Sequence, residues 1–132
     1  MNTTNKILSE ISAGELMDKI TILEIKKVKI TDPSKQAIIN KELDSLHITY
    51  QTSLTPSPEL EEQITKLKNI NLALWDIEEE KRECERQKDF GDTFVQLARS
   101  VYIENDNRAK IKAEINRRTN STISEVKSYK AY

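Results

Sequence analysis

The chain has one cysteine, two glycines and three prolines in 132 residues. A lone Cys84 cannot form an intramolecular disulfide, and that usage fits a reducing interior. So little glycine and proline leaves few sharp turns, which argues against a β-sandwich and for long helices. Aromatic residues make up only 5%, with Trp75 the sole tryptophan. The N-terminal segment carries no apolar block of signal-peptide type, and no run approaches the ~18 residues of a membrane span. Charge of one sign is also missing. Lys+Arg is 21 and Asp+Glu is 22, a net charge of -1, so nothing draws the chain as a whole to DNA, RNA or anionic lipid. Arg117-Arg118 is the densest local basic patch. The chain has no Cys/His metal pattern, no Gly-rich phosphate loop and no nucleophile elbow. These absences lead to the expectation of a cytoplasmic protein with neither a nucleic-acid nor a membrane partner.

What is present is charge on a lean apolar framework. Charged residues are 33% and apolar residues 36%. The length suits one compact domain over 1–132. A lean helical bundle often completes its burial by association, so a homo-oligomer is expected.

The longest uninterrupted stretch is 58–87, read as the third and organising helix, ~43 Å long at ~1.5 Å per residue. Its apolar stripe is Leu60, Ile64, Leu67, Leu74 and Ile77, with Asn71 set inside it. Ser57 caps it and Pro58 starts it. Before it, residues 1–11 read as a loose N-terminus. Ser12 and Glu15 form a capping box for a first helix over 12–31. That helix is apolar on two sides: Leu16, Ile20, Leu23 and Ile30 form one stripe, and Met17, Ile22, Ile25 and Val28 a second face. Such a helix is sandwiched. Either it sits centrally, or Ile22, Ile25 and Val28 form an oligomer face covered by another subunit or by the C-terminal tail. Asp32-Pro33 begins a second helix over 33–52 with the stripe Ile39, Leu43, Leu46 and Tyr50. Asp89 is the expected N-cap of a fourth helix over 90–118, carrying Phe94, Leu97, Ala98, Val101, Ile111 and Ile115. The tail 119–132 reads as a short helix or an extended strap. The fold class is all-α: a four-helix bundle in which the third and fourth helices form a long antiparallel hairpin.

Two features carry candidate chemistry. His47 reads as an ordinary surface histidine, and Cys84 as a small buried or half-buried side chain rather than a nucleophile. The acidic run 76–85 places Asp76, Glu80 and Glu83 on one helix face, where they could hold Mg²⁺ if a second helix supplied ligands. That pattern is similar to the four-helix nucleotide pyrophosphohydrolases. Glu80 and Glu83 match their Glu-x-x-Glu pair. The second pair fails, because Glu104 is followed at that spacing by Asn107. The other reading is a solvated face with helix salt bridges such as Glu78–Arg82.

The second feature is polar residues at inward positions: Lys27, Asn71, Glu78, Asn105, Arg108 and Lys112. Uncompensated polar groups in a core cost ~1–3 kcal/mol each, so they must pair or line a site. Counted from Asp89, Asn71 lies 18 residues before it, Asn105 16 after and Arg108 19 after. Residues equidistant from a hairpin turn sit at one height. Asn71, Asn105 and Arg108 are therefore expected in one polar layer, structural or ligand-binding. Glu104 is the nearest local acceptor for Arg108, and Asp18 or Glu15 are longer-range ones.

Several segments are familiar in combination: 11–26 (ISAGELMDKITILEIK), Leu74-Trp75-Asp76-Ile77-Glu78, Asp89-Phe90-Gly91, 97–102 (LARSVY), Asn105-Asp106-Asn107-Arg108-Ala109 and Glu125-Val126-Lys127-Ser128-Tyr129. Together they resemble a small uncharacterised family of bacterial and phage-type helical domains of unknown function. The likeness covers about 11–129. It implies a whole domain and brings no activity, substrate or catalytic residue.

Two functions are compatible with these residues. One is a non-catalytic helical interaction or assembly module, without cofactor, that self-associates and binds a partner protein. The other is a Mg²⁺-dependent enzyme or binder acting on a phosphorylated small molecule.

Overall fold

The structure is a computed structural model that describes residues 5–132. It contains four helices: α1 (Ala13–Lys29), α2 (Pro33–Ser53), α3 (Pro58–Arg86) and α4 (Asp92–Thr119). No strand occurs among the described residues. The loose N-terminus expected over 1–11 falls partly outside them. From residue 5 to the start of α1 the chain is non-helical and mostly exposed.

Each helix starts where its local chemistry dictates. Ser12 Oγ accepts from the Glu15 amide at 3.1 Å, Asp32 from Lys35 at 3.1 Å, and Ser57 from Leu60 at 3.0 Å. Pro33 and Pro58 stand in the first turns of their helices, where a missing N–H costs nothing. The expected cap at Asp89 is not formed. Gly91 is the N-cap of α4 and offers no side chain, while Asp89 Oδ1 accepts from the Gly91 amide at 3.1 Å and shapes the turn instead. Lys88 takes a left-handed conformation, φ 56. It closes α3 with two bonds, Asp89 N to Cys84 O at 2.9 Å and Lys88 N to Glu85 O at 3.1 Å. That pattern normally ends on glycine.

The first turn of α1 is completed by α4 and the turn that follows it. Ala13 N donates to Ser121 Oγ at 2.9 Å and Gly14 N to Asn116 Oδ1 at 2.7 Å. With Ser12 on Glu15, three N–H groups that a helix start leaves unsatisfied all find partners. Glu15 does not complete the reciprocal capping box. Its carboxylate reaches Lys112 at 3.0 Å.

The sequence centres the fold on the longest helix, whereas the structure centres it on α1. This helix packs against α2, α3 and α4, and it buries residues on both sides, including Leu16, Met17, Ile20, Leu23 and Ile25. Of the two roles open to a two-sided helix, the central one is realised. Leu16, Met17, Ile20 and Leu23 join Ile39 and Leu43 of α2, Leu60 and Leu67 of α3 and Ile115 of α4 in one apolar cluster. Helices α3 and α4 form the most extensively packed pair, the long antiparallel hairpin that the stripes and the short turn predict. Along α1, Gly14 meets Asn116 and Asp18 meets Arg108, so α1 and α4 run antiparallel. Toward α3, Glu24 pairs with Lys68 at 3.6 Å and Lys29 with Asp76 at 3.9 Å, so α1 and α3 run parallel. α1 ends level with Asp76, while α3 continues ten residues farther, from 76 to 86.

After α4, Asn120 turns left-handed, φ 55, and residues 121–132 form neither helix nor strand. The tail is thus a strap along α4, not a helix. Lys127 Nζ lies 3.9 Å from Asp106. The rings of Tyr132 and Tyr102 meet edge-on at 5.3 Å.

Gly14 is the position where absence of a side chain is structural. A methyl group there would lie 2.6 Å from the Lys112 carbonyl oxygen and 2.9 Å from Asn116 Oδ1. Backbone cannot swing aside, so α1 would be pushed off α4. Gly14→Ala is expected to lower unfolding stability by ~1–3 kcal/mol in denaturant melts, despite alanine's better helix propensity. An unchanged or raised midpoint would show that the two helices are not in this close register.

Candidate functional site

The most elaborate polar construction in the chain lies where α1, α3 and α4 meet. Asp18 of α1 is only 2% exposed. A carboxylate taken from water at that depth needs partners on both oxygens, and it has them. Arg108 of α4 grips it with two bonds, Nε to Oδ1 at 2.9 Å and Nη2 to Oδ2. Asn71 of α3 donates Nδ2 to Oδ1 at 2.9 Å and also to Thr21 Oγ1 at 3.0 Å. Thr21, fully buried, donates back to its own helix at Met17 O, 2.9 Å. One turn along α4, buried Lys112 lies 3.0 Å from Glu15, 3.9 Å from Asp18 and 3.5 Å from Glu125 of the strap. The bidentate guanidinium fixes direction as well as charge.

Burial pushes the Asp18 carboxyl upward, but hydrogen bonds from Arg108 and Asn71, with the positive charges of Arg108 and Lys112, reverse this and hold it below its ordinary range. The hydrogen bond to Asp18 raises Arg108 against the opposing effect of burial. Burial lowers Lys112, yet the bond to Glu15 and the charges of Asp18, Glu15 and Glu125 leave it raised. All three groups are therefore held in their charged forms.

Asn71 and Arg108 meet on the Asp18 carboxylate, and Asn105 reaches it only through Arg108. Asn71 is buried and Arg108 half-buried, and Asn105 Oδ1 accepts from Arg108 Nη1 at 3.4 Å. Asn71 meets this pair through Asp18, the shared acceptor. Glu104 is not the acceptor for Arg108. It is half-buried on α4, and the longer-range Asp18 takes the guanidinium because α1 lies directly over that face. Lys112 is inward as read. Lys27 and Glu78 are exposed, because α1 has turned Lys27 to solvent and Glu78 sits beyond its end, paired with Arg82 at 3.1 Å.

Asp76, Glu80 and Glu83 are exposed on α3. Asp76 faces Lys29 at 3.9 Å and Glu83 faces Arg86 at 2.7 Å. No trio of His, Cys, Asp or Glu among the described residues is gathered closely enough to hold a metal ion. Of Ile22, Ile25 and Val28, the chain itself buries Ile25, half-buries Ile22 and leaves only Val28 fully open. The three do not form one open face. His47 is half-buried and Cys84 buried. Thr21 and Asn116 escaped sequence reasoning. Their signal was faint: a small polar residue one turn after Asp18, and an asparagine beside the apolar Ile115.

Chemically, the arrangement is a neutralised, hydrogen-bonded charge layer inside an all-helical bundle. It has no nucleophile activated by a base and no gathered metal-ligand set. The class is thus a helical bundle domain with a buried ionic network. A family model described as "Family of unknown function (DUF6165)" matches residues 7–132, and the chain belongs to that family. No curated protein and no solved structure matches it. No helix among the described residues is long and apolar enough to cross a membrane.

The network sets a pH dependence with a definite sign. The folded-state pKa of Asp18 lies below its ordinary 3.8, so its contribution is fully present above that value and is lost as pH falls through the folded pKa, below about pH 4. Arg108→Ala leaves the buried carboxylate with Asn71 and a distant lysine. It is expected to cost ~3 kcal/mol at neutral pH. Burial is then less well opposed, so the Asp18 carboxyl rises and acid destabilisation begins at higher pH. Denaturant melts across pH check both points. A loss below ~1 kcal/mol, with an unshifted acid limb, would contradict the network's structural role.

Proposed function

We propose that this chain is a non-catalytic helical assembly module that self-associates through the outer half of its α3–α4 hairpin. The carrying observation is what that half leaves uncovered. Beyond the end of α1 only two helices meet, and two helices cannot enclose each other's apolar stripes. Ile77, Phe94 and Val101 are half-buried there and Val95 is 47% exposed, while at the level where α1 ends Trp75 is half-buried and Ile103 39% exposed. A second copy of the same hairpin is the occupant that fits. Two hairpins side by side make a four-helix bundle, and a two-fold pairing needs no new partner. The acidic run does not oppose this, because Glu78, Glu83 and Glu85 are matched along α3 by Lys81, Arg82, Arg86 and Lys88.

The alternative, a Mg²⁺-dependent enzyme or binder of a phosphorylated small molecule, draws less support. Its carboxylates are exposed, Asp76 and Glu83 face Lys29 and Arg86, and Arg108 already grips Asp18. The two readings separate in a thermal melt. A specific Mg²⁺ site would raise the midpoint by several degrees at saturation, and the assembly reading expects no Mg²⁺-dependent shift.

Light scattering across a concentration series is expected to show a dimer, and the double variant Val95→Glu/Ile103→Glu to be monomeric with the melting midpoint of the body retained at matched subunit concentration. A wild-type chain that stays monomeric throughout, or a variant that dimerises as well as wild type, would overturn the proposal.

A further inference from the structure

A cleft separates α4 from the strap. Its main part, 510 Å³, is walled by Tyr102, Tyr129 and Tyr132 and carries the cations Lys127 and Lys130 and the carboxylate of Asp106, to which the Tyr132 hydroxyl is hydrogen-bonded. That volume lies within the ~300–1,000 Å³ range of small-molecule sites. A second, small hollow of 70 Å³ lies beside it, lined by Arg108, Lys112 and Glu125, and Asn105 and Lys127 line both. The junction is rich in unused donors. Arg108 gives Nε and Nη2 to Asp18, but its Nη1 makes only the 3.4 Å contact to Asn105. Asn105 accepts that contact on Oδ1, and its Nδ2 donates to no described residue. Lys127 Nζ, 3.9 Å from Asp106, is too distant for a good hydrogen bond.

From this juxtaposition we propose that the cleft binds a small molecule bearing a planar aromatic ring next to a carboxylate or phosphate. The ring lies against Tyr102 and Tyr132, where ring contacts favour stacked or edge-on geometry. The anion sits at the junction on Asn105, Arg108 and Lys127. The strap itself displays the chemistry: its own Tyr132 ring packs on Tyr102, and its own Glu125 carboxylate stands 3.5 Å from Lys112. The charges of the cleft and of the network behind it balance. An incoming anion is therefore accommodated by displacing Glu125, whose side chain is 46% exposed. The cleft borders the hairpin surface assigned to self-association, since Tyr102 neighbours Ile103 on α4, but its anion-binding residues Asn105, Arg108 and Lys127 are not part of that surface.

The test uses the full chain and amide NMR titration with four probes: adenosine monophosphate, phenylacetate, and their uncharged counterparts adenosine and phenylacetamide. Inorganic phosphate serves as a fifth, ring-free probe. The aromatic anions are expected to shift the Tyr102 and Asn105 resonances saturably, about tenfold more tightly than the neutral analogues or phosphate, a difference of ~1.4 kcal/mol. Tyr102→Ala should weaken them about as much. The ring is 46% exposed, so the fold should tolerate its loss, and an unchanged melting midpoint verifies that. Glu125→Gln should tighten binding severalfold by removing the internal competitor. Absence of saturable shifts with both anions, equal binding of the neutral analogues, or no effect of Glu125→Gln would each overturn the proposal.

Discussion

A single carboxylate organises this fold. Asp18 lies at 2% exposure where three helices converge, and a bare charge there would be costly. Its partners come from both other helices: Arg108 from α4 and Asn71 from α3. Satisfying it therefore fixes the rotation of α1 against each of them and the height of each along its axis. Apolar packing alone is more permissive, because leucines and isoleucines slide by a turn and still bury their surface. A charge with directional partners does not, which is the best-supported use of buried polar groups. The Gly14–Asn116 contact acts alongside it, one turn away, by allowing the backbones of α1 and α4 to approach.

Much of the architecture is readable from local chemistry. Ser12, Asp32-Pro33 and Ser57-Pro58 mark three helix starts because a side-chain oxygen beside an orphan amide is a local matter. The stripes of α3 and α4 mark a hairpin because their residues recur at helical spacing. Two local readings fail for reasons outside the local sequence. Asp89 turns its oxygen to the Gly91 amide because Lys88 has already bent the chain left-handed. Glu15 leaves the capping box because a buried lysine from α4 offers a stronger partner.

The polar layer is legible in part. Counting from the turn places Asn71 level with Asn105 and Arg108, but it cannot identify the third helix that lies over them. Periodicity therefore offers Arg108 a local partner, Glu104, beside the longer-range Asp18 and Glu15, and the fold selects Asp18. The same blindness applies to α1. Its two apolar faces show that it is packed on two sides, and only the tertiary arrangement shows that the chain buries Ile25 itself while Val28 stays open. Lys27 and Glu78 share positions with inward residues by periodicity alone. Both turn outward, Lys27 on the solvent side of α1 and Glu78 beyond its end.

The central claim is that Asp18 and Arg108 act as one unit that holds α1 to α4. A double-mutant cycle measures this directly, with denaturant unfolding of wild type, Asp18→Asn, Arg108→Met and the combination at neutral pH. The account predicts a coupling energy of ~2 kcal/mol or more, the double variant losing much less than the sum of the two single losses. Strict additivity, with coupling below ~0.5 kcal/mol, would contradict it.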